Sequence, residues 1–161
     1  MGLALMNYID IVFKLFSAVV IGCIVGADRD LHGKPTGIKT LGLVALGACL
    51  ATMAGLNFAT VDASHDTSSL SRVIEGVITG IGFLGAGVIV HGNNEQVHGL
   101  TTAASIWVTA AIGIICGMGD WRIAIIALIF VLMLFFFGRL IERSLHKRWL
   151  TQQQDASKRE E

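Results

Sequence analysis

Three groups of polar residues stand out in an otherwise apolar chain, and each could do chemistry. The first is "ADRDLHGKPTGIKT", residues 27–40, which holds Asp28, Arg29, Asp30, Lys34, Lys39 and Thr40. Asp28 and Asp30 could meet a hydrated divalent cation, because Mg²⁺ often takes only one or two carboxylates and keeps its waters. Arg29, Lys34 and Lys39 compete for the same carboxylates, so the alternative is a solvated loop of salt bridges. The second group is Arg72, Glu75 and Thr79, which lie on one side of a helix with Arg72 and Glu75 as an i, i+3 pair. The uncharged stretch from Gly76 to Val90 covers about 22 Å of helix, against a hydrocarbon core of ~30 Å. Glu75, and with it Arg72, therefore reaches the interfacial or membrane zone. There it reads either as a gate, proton-responsive group or cation contact, or as an ion pair closing a helix end. The third group is Thr101, Thr102, Ser105 and Thr109, which share one broad helical arc continued by Gly113 and Cys116. Such hydroxyls either hydrogen-bond between helices or line a narrow pathway, and bonding between helices is the commoner role.

Several chemistries are excluded. Gly80-Ile-Gly82-Phe-Leu-Gly85 spells G-x-G-x-x-G, but a dinucleotide site needs a preceding strand and a helix opening at the motif. Here the motif lies inside an apolar segment, so no nucleotide is expected. The Gly33-Lys34 pair is followed by Pro35 where a phosphate loop needs Ser or Thr, and Asp28 stands in place of the leading glycine. Cys23, Cys49 and Cys116 have no short spacing, which argues against a zinc site or a disulfide framework. His65, His91 and His98 have no metal-ligand spacing, and no nucleophile–base pair is apparent. The formal net charge is zero, which leaves no basic field for nucleic acid. The expectation is a non-enzymatic protein with no cofactor, apart from the open question of a Mg²⁺ contact.

The elements that must carry these groups are membrane helices. The chain of 161 residues is 53% apolar and 15% charged, with a mean hydropathy of +0.69. Soluble domains carry about 25% charged residues. A bilayer span needs about 20 mostly apolar residues. Five segments qualify, at about residues 9–27, 40–61, 71–90, 100–118 and 122–141, with four spans as the alternative if one is re-entrant. The fold class is therefore all-α, a polytopic membrane helical bundle. The first segment lacks a basic leader and a small-x-small cleavage site, so it is read as retained. Arg29, Lys34, Lys39 and the basic tail fall on one side of five spans. By the positive-inside rule that side is cytoplasmic, the N-terminus is outside and the C-terminus inside. Trp121 and Trp149 suit interfacial anchoring. The organisation expected is a transmembrane domain over 1–143 and a polar cytoplasmic tail over 144–161, helical at its start and disordered at its end.

Nineteen glycines against one proline also need an account. On the third span Gly76, Gly80 and Gly87 share one face, while Gly82, Gly85 and Ala86 lie broadly opposite. A bulky strip of Val77, Ile81, Leu84 and Val88 runs between them. Two small faces predict a helix packed on both sides, at the centre of the bundle, because small-x-x-x-small contacts let backbones approach. Gly22 and Gly26, with Ala18, give the first span a similar face. The fifth span is bulky nearly all round and is expected at the periphery, facing lipid or another subunit. The partners expected are the lipid bilayer and other membrane proteins or a second copy.

Three blocks together resemble the MgtC/SapB family of bacterial membrane proteins. They are "GADRDLHGKPTGIKTLGLVALGA" at 26–48, "RVIEGVITGIGFLGAGVIV" at 72–90 and "GLTTAASIWVTAAIGIICGMG" at 99–119. The resemblance covers roughly residues 10–140 and implies a small multi-pass inner-membrane protein. It also implies a link to magnesium homeostasis, growth at low magnesium and, in some pathogens, survival in host cells. In the family, regulation of other membrane machinery competes with transport of a cation. The family motifs fall here on Asp28, Arg29, Asp30, Gly33, Gly37, Lys39 and Thr40; on Arg72, Gly80, Gly82, Phe83, Gly85, Ala86 and Gly87; and on Gly99 to Ser105 with Trp107. The family's usual Glu-Arg-Glu is Asp28-Arg29-Asp30 here, Lys39 replaces an arginine, and Glu75 stands where a neutral amide is common. Shorter acids and a lysine change the reach of any ion pair. Longer members carry a soluble C-terminal domain, and this chain is read as a short form.

Overall fold

In a computed structural model of the chain, residues 8–61, 68–91 and 97–160 are described. Side chains are described for these except at 58–61, 68–69, 90–91 and 142–160. His65 lies outside the described residues, as does the side chain of Trp149. The order is α1 (Tyr8–Leu31), α2 (Ile38–Val61), α3 (Ser68–Val88), β1 (Val90–His91), β2 (Val97–His98), α4 (Leu100–Met118) and α5 (Trp121–Glu160). All five helices contain a stretch long and apolar enough to cross a membrane. The two short strands pair antiparallel, Val90 with His98 and His91 with Val97, within the α3–α4 connection.

The helix ends follow from local chemistry. α1 stops at Gly33, which takes the left-handed conformation at φ 62°. The Gly33 N–H then donates to the Asp30 carbonyl and the Lys34 N–H to the Arg29 carbonyl, which satisfies the last carbonyls of the helix. Pro35 follows and cannot continue the helix. α4 ends the same way at Gly119, φ 93°, with Gly119 and Asp120 donating to Cys116 and Ile115. The Asp120 carbonyl at once accepts from the Ala124 N–H, so α5 starts without a loop.

The chain divides into two compact units, residues 1–128 and 129–161. In the first, successive helices run up and down. One end gathers the C-terminus of α1, the N-terminus of α2, the C-terminus of α3 and the N-terminus of α4. The centre is α2 and α4, whose spans are 44% and 56% buried, against 6% for α3. A Cβ on Gly113 would overlap the Ala45 carbonyl oxygen, and one on Gly117 would lie 2.8 Å from the Cys49 carbonyl oxygen and from Thr52 Cβ. Gly22 and Gly26 pack as expected: their Cβ atoms would lie 2.6 Å from the Leu41 carbonyl oxygen and from Ile38 Cα.

The expectation of a central α3 is corrected here. A Cβ at Gly76, Gly80, Gly82 or Gly87 would have nothing within 4 Å, and Gly85 makes only an ordinary 3.6 Å contact with Ala103. Ala86 is exposed. α3 docks instead through its bulky side: Ile74, Val77, Ile78 and Ile81 pack on the core of Ala48, Ala110 and Ile114. A contact through large side chains gathers more dispersion energy than one through bare backbone, unless the partner offers a matching groove. In the second unit α5 continues to Glu160, through the segment expected to end in disorder. The residues after Gly138 contain no Gly or Pro and many Lys, Arg, Gln, Glu and Leu, all good helix formers.

Candidate functional site: a buried arginine on a hydroxyl face

The first and third polar groups meet. Arg29 is only 3% exposed, although it stands in the last turn of α1 next to a charged loop. Its Nη1 donates to Ser105 Oγ at 2.9 Å and its Nη2 to Thr102 Oγ1 at 2.6 Å. Its Nε and Nη2 donate to the Pro35 carbonyl oxygen at 3.2 and 3.0 Å. One guanidinium thus ties α1, the α1–α2 turn and α4 together. The planar fork suits this task, because its donors point at several acceptors at once. The adjacent Asp28 carboxylate adds favourable electrostatic interaction.

Each acceptor is held in turn. Thr102 and Ser105 are three apart on α4 and so face the same way. The Ser105 hydroxyl accepts from Arg29 and donates to the Thr101 carbonyl at 2.7 Å. Thr101 contributes that carbonyl while being exposed itself. Asp30 points elsewhere: its Oδ2 accepts the Ile38 N–H at 3.0 Å, at the first residue of α2. A carboxylate there satisfies an orphan donor and sits at the positive end of the helix dipole. Gly37 makes room for it, since a Cβ at that position would overlap the Asp30 carboxylate. Asp28 faces His32, whose Nδ1 lies 2.6 Å from the Asp28 carbonyl oxygen and 3.8 Å from Oδ1.

Asp28 and Asp30 are therefore committed to different neighbours, and residues two apart on a helix do not face each other. Among the described residues no three metal-ligating side chains come together. One turn beyond Ser105, the Thr109 hydroxyl is fully buried and has no hydrogen-bond partner among the described residues. Lys39 and Thr40 are exposed at the start of α2, outside the arginine cluster. The second polar group lies at the opposite end of the bundle. Arg72, Glu75 and Thr79 are exposed on α3, and the Thr79 hydroxyl bonds back to the Glu75 carbonyl at 2.8 Å. Among the described residues no ion pair joins Arg72 to Glu75.

A family model described as MgtC family matches residues 15–144, more than three quarters of the chain. The chain belongs to the MgtC family. It is similar to a Haemophilus influenzae protein, 38% identical over 146 residues, which cover 88% of this chain and 61% of the relative. It is 36% identical to SapB of Bacillus subtilis over 126 residues, covering 77% of this chain and 54% of SapB. It is 35% identical to MgtC of Salmonella typhimurium over 121 residues, covering 75% of this chain and 49% of that protein. The chain thus spans about half to three fifths of the length of these relatives. No solved structure matches it.

Within this MgtC-family chain, sequence reasoning missed two features. Pro35 matters through its carbonyl oxygen, which backbone-blind motif reading does not register. Gly113 and Gly117 let α4 pack against the α2 backbone at Ala45 and Cys49, and their small-x-x-x-small spacing is legible in the sequence.

Proposed function

We propose that this multi-pass membrane protein acts in magnesium homeostasis and adaptation to low magnesium by regulating or assisting other membrane proteins, without catalysing a reaction or conducting a cation. Membership of the MgtC family supports the magnesium link. The observation that carries the choice of regulation over transport is Arg29. The pathway reading needed the α4 hydroxyls to face a passing cation, and Arg29 takes Thr102 and Ser105 for itself. A monovalent cation 4 Å from that guanidinium would meet about 4 kcal/mol of repulsion at an effective dielectric of 20. A divalent ion would meet twice that. The same reading places the protein in the inner membrane, with the Arg29 end in the cytoplasm and the N-terminus outside, following Arg29, Lys34 and Lys39.

Crosslinking in intact membranes at low and high magnesium, followed by purification of the tagged chain, tests the regulatory role. The expected result is a membrane protein captured in a magnesium-dependent manner and lost with Arg29→Ala. Magnesium flux into vesicles containing only the purified chain would overturn the reading.

A further inference from the structure

Between α2 and α3 runs a groove of about 520 Å³. Its floor and walls are Leu43, Val44, Gly47, Ala48, Gly76, Val77, Gly80, Ile81 and Leu84, and its polar residues, Lys39 and Thr40, are at one end only. Three glycines create it, and a side chain at Gly47, Gly76 or Gly80 would meet nothing within 4 Å. From Lys39 to Ala48 the groove follows about 13 Å of helix. Half of a ~30 Å hydrocarbon core is about 15 Å. The groove therefore extends from the end of the α2 span, which begins at Ile38, to about the middle of the bilayer. A transmembrane helix from a partner or a second copy would need a trough along the whole span, and this one stops halfway.

We propose that this groove is a binding site for one anionic phospholipid, with an acyl chain lying along Gly47 and Gly80 and the phosphate held by Lys39. The charge fits. Among the described residues Lys39 has no hydrogen bond or ion pair, so its ammonium is available at headgroup level. Thr40 beside it offers a hydroxyl to a phosphate oxygen. Basic residues between transmembrane helices at the headgroup level are suited to acidic lipid headgroups. The chain fits as well, since a flexible acyl tail can follow a shallow apolar channel over one leaflet.

Native mass spectrometry of the full chain in detergent tests this, with phosphatidylglycerol and phosphatidylcholine of identical acyl chains as probes. The expected result is one retained phosphatidylglycerol per chain and a higher unfolding temperature with that lipid than with phosphatidylcholine. Lys39→Gln should weaken phosphatidylglycerol retention about five-fold, the effect of one lysine near an anionic surface. Lys39→Arg should restore it. Gly80→Leu places its side chain in the open groove and should abolish retention of both lipids, while its unfolding temperature without added lipid confirms that it folds. Equal retention of the two lipids by the unsubstituted chain would overturn the proposal. So would a Gly80→Leu variant that still holds phosphatidylglycerol, or a dimer in the unsubstituted chain that Gly80→Leu dissociates.

Discussion

At the scale of single residues, Arg29 does most to organise the charged loop. The spacing of Asp28-Arg29-Asp30 was legible as a motif, and Thr102 and Ser105 as one helical face. What could not be read was that the two belong together, because 76 residues separate Arg29 from Ser105. Nor could the sequence divide the labour among the three charges: the arginine turns inward and Asp30 caps α2. The hydroxyls separate by the same criterion of partnership. Thr102 receives a charge-assisted bond, and Thr109 is buried with none. A buried hydroxyl without a partner costs stability, while losing a bond to a charged donor costs about 1.5–3 kcal/mol. Thr102→Val should therefore destabilise the chain by about 2 kcal/mol. The near-isosteric Thr109→Val should leave it unchanged or raise stability by about 1 kcal/mol. Arg29→Lys should be costly too, because one ammonium cannot reach Pro35, Thr102 and Ser105 together. Denaturant unfolding of the purified variants in mixed micelles measures all three. Equal effects of the two threonine substitutions would refute the assignment.

At the scale of elements, all five apolar spans and their approximate bounds were readable from hydropathy, while the continuation of α5 to Glu160 and the packing order were not. Glycine content pointed to α3 as the central helix. The structure puts α2 and α4 there, and α3 leans on them through Val77 and Ile81. Composition records that a helix has a small face but not whether a neighbour occupies it. Gly113 and Gly82 separate these cases in a single experiment. Gly113 sits where a Cβ would overlap the Ala45 carbonyl, and backbone cannot swing aside as a side chain can. Gly113→Val should cost about 3 kcal/mol or prevent folding. Gly82 faces open space, so Gly82→Ala removes only the entropic penalty of glycine and should stabilise by about 0.5–1 kcal/mol. Thermal unfolding in detergent measures both. A destabilised Gly82→Ala would mean that a partner, absent from the single chain, fills that face.

At the scale of the whole molecule, the up-and-down helix order puts Arg29, Lys34 and Lys39 at one end and Lys14 at the other, beside Gly119. There the Lys14 side chain lies near the C-terminus of α4, where a cation complements the helix dipole. The same arrangement sets the terms on which transport and regulation differ. A conducting chain would have to move Arg29 off α4, giving up its two hydrogen bonds to Thr102 and Ser105. A regulatory chain keeps that cluster as a rigid end and offers its surface to others. Vesicles containing only the purified chain and a magnesium-sensitive dye should show no flux with the unsubstituted protein. If Arg29 is the barrier, a folded Arg29→Ala should admit cations where the unsubstituted chain does not, and Thr102→Val on that background should reduce the leak. If no path exists behind Arg29, neither variant leaks and regulation through contacts stands alone. Flux in the unsubstituted chain that Thr102→Val reduces would instead reinstate the pathway and refute the reading of Arg29 as a fixed tie.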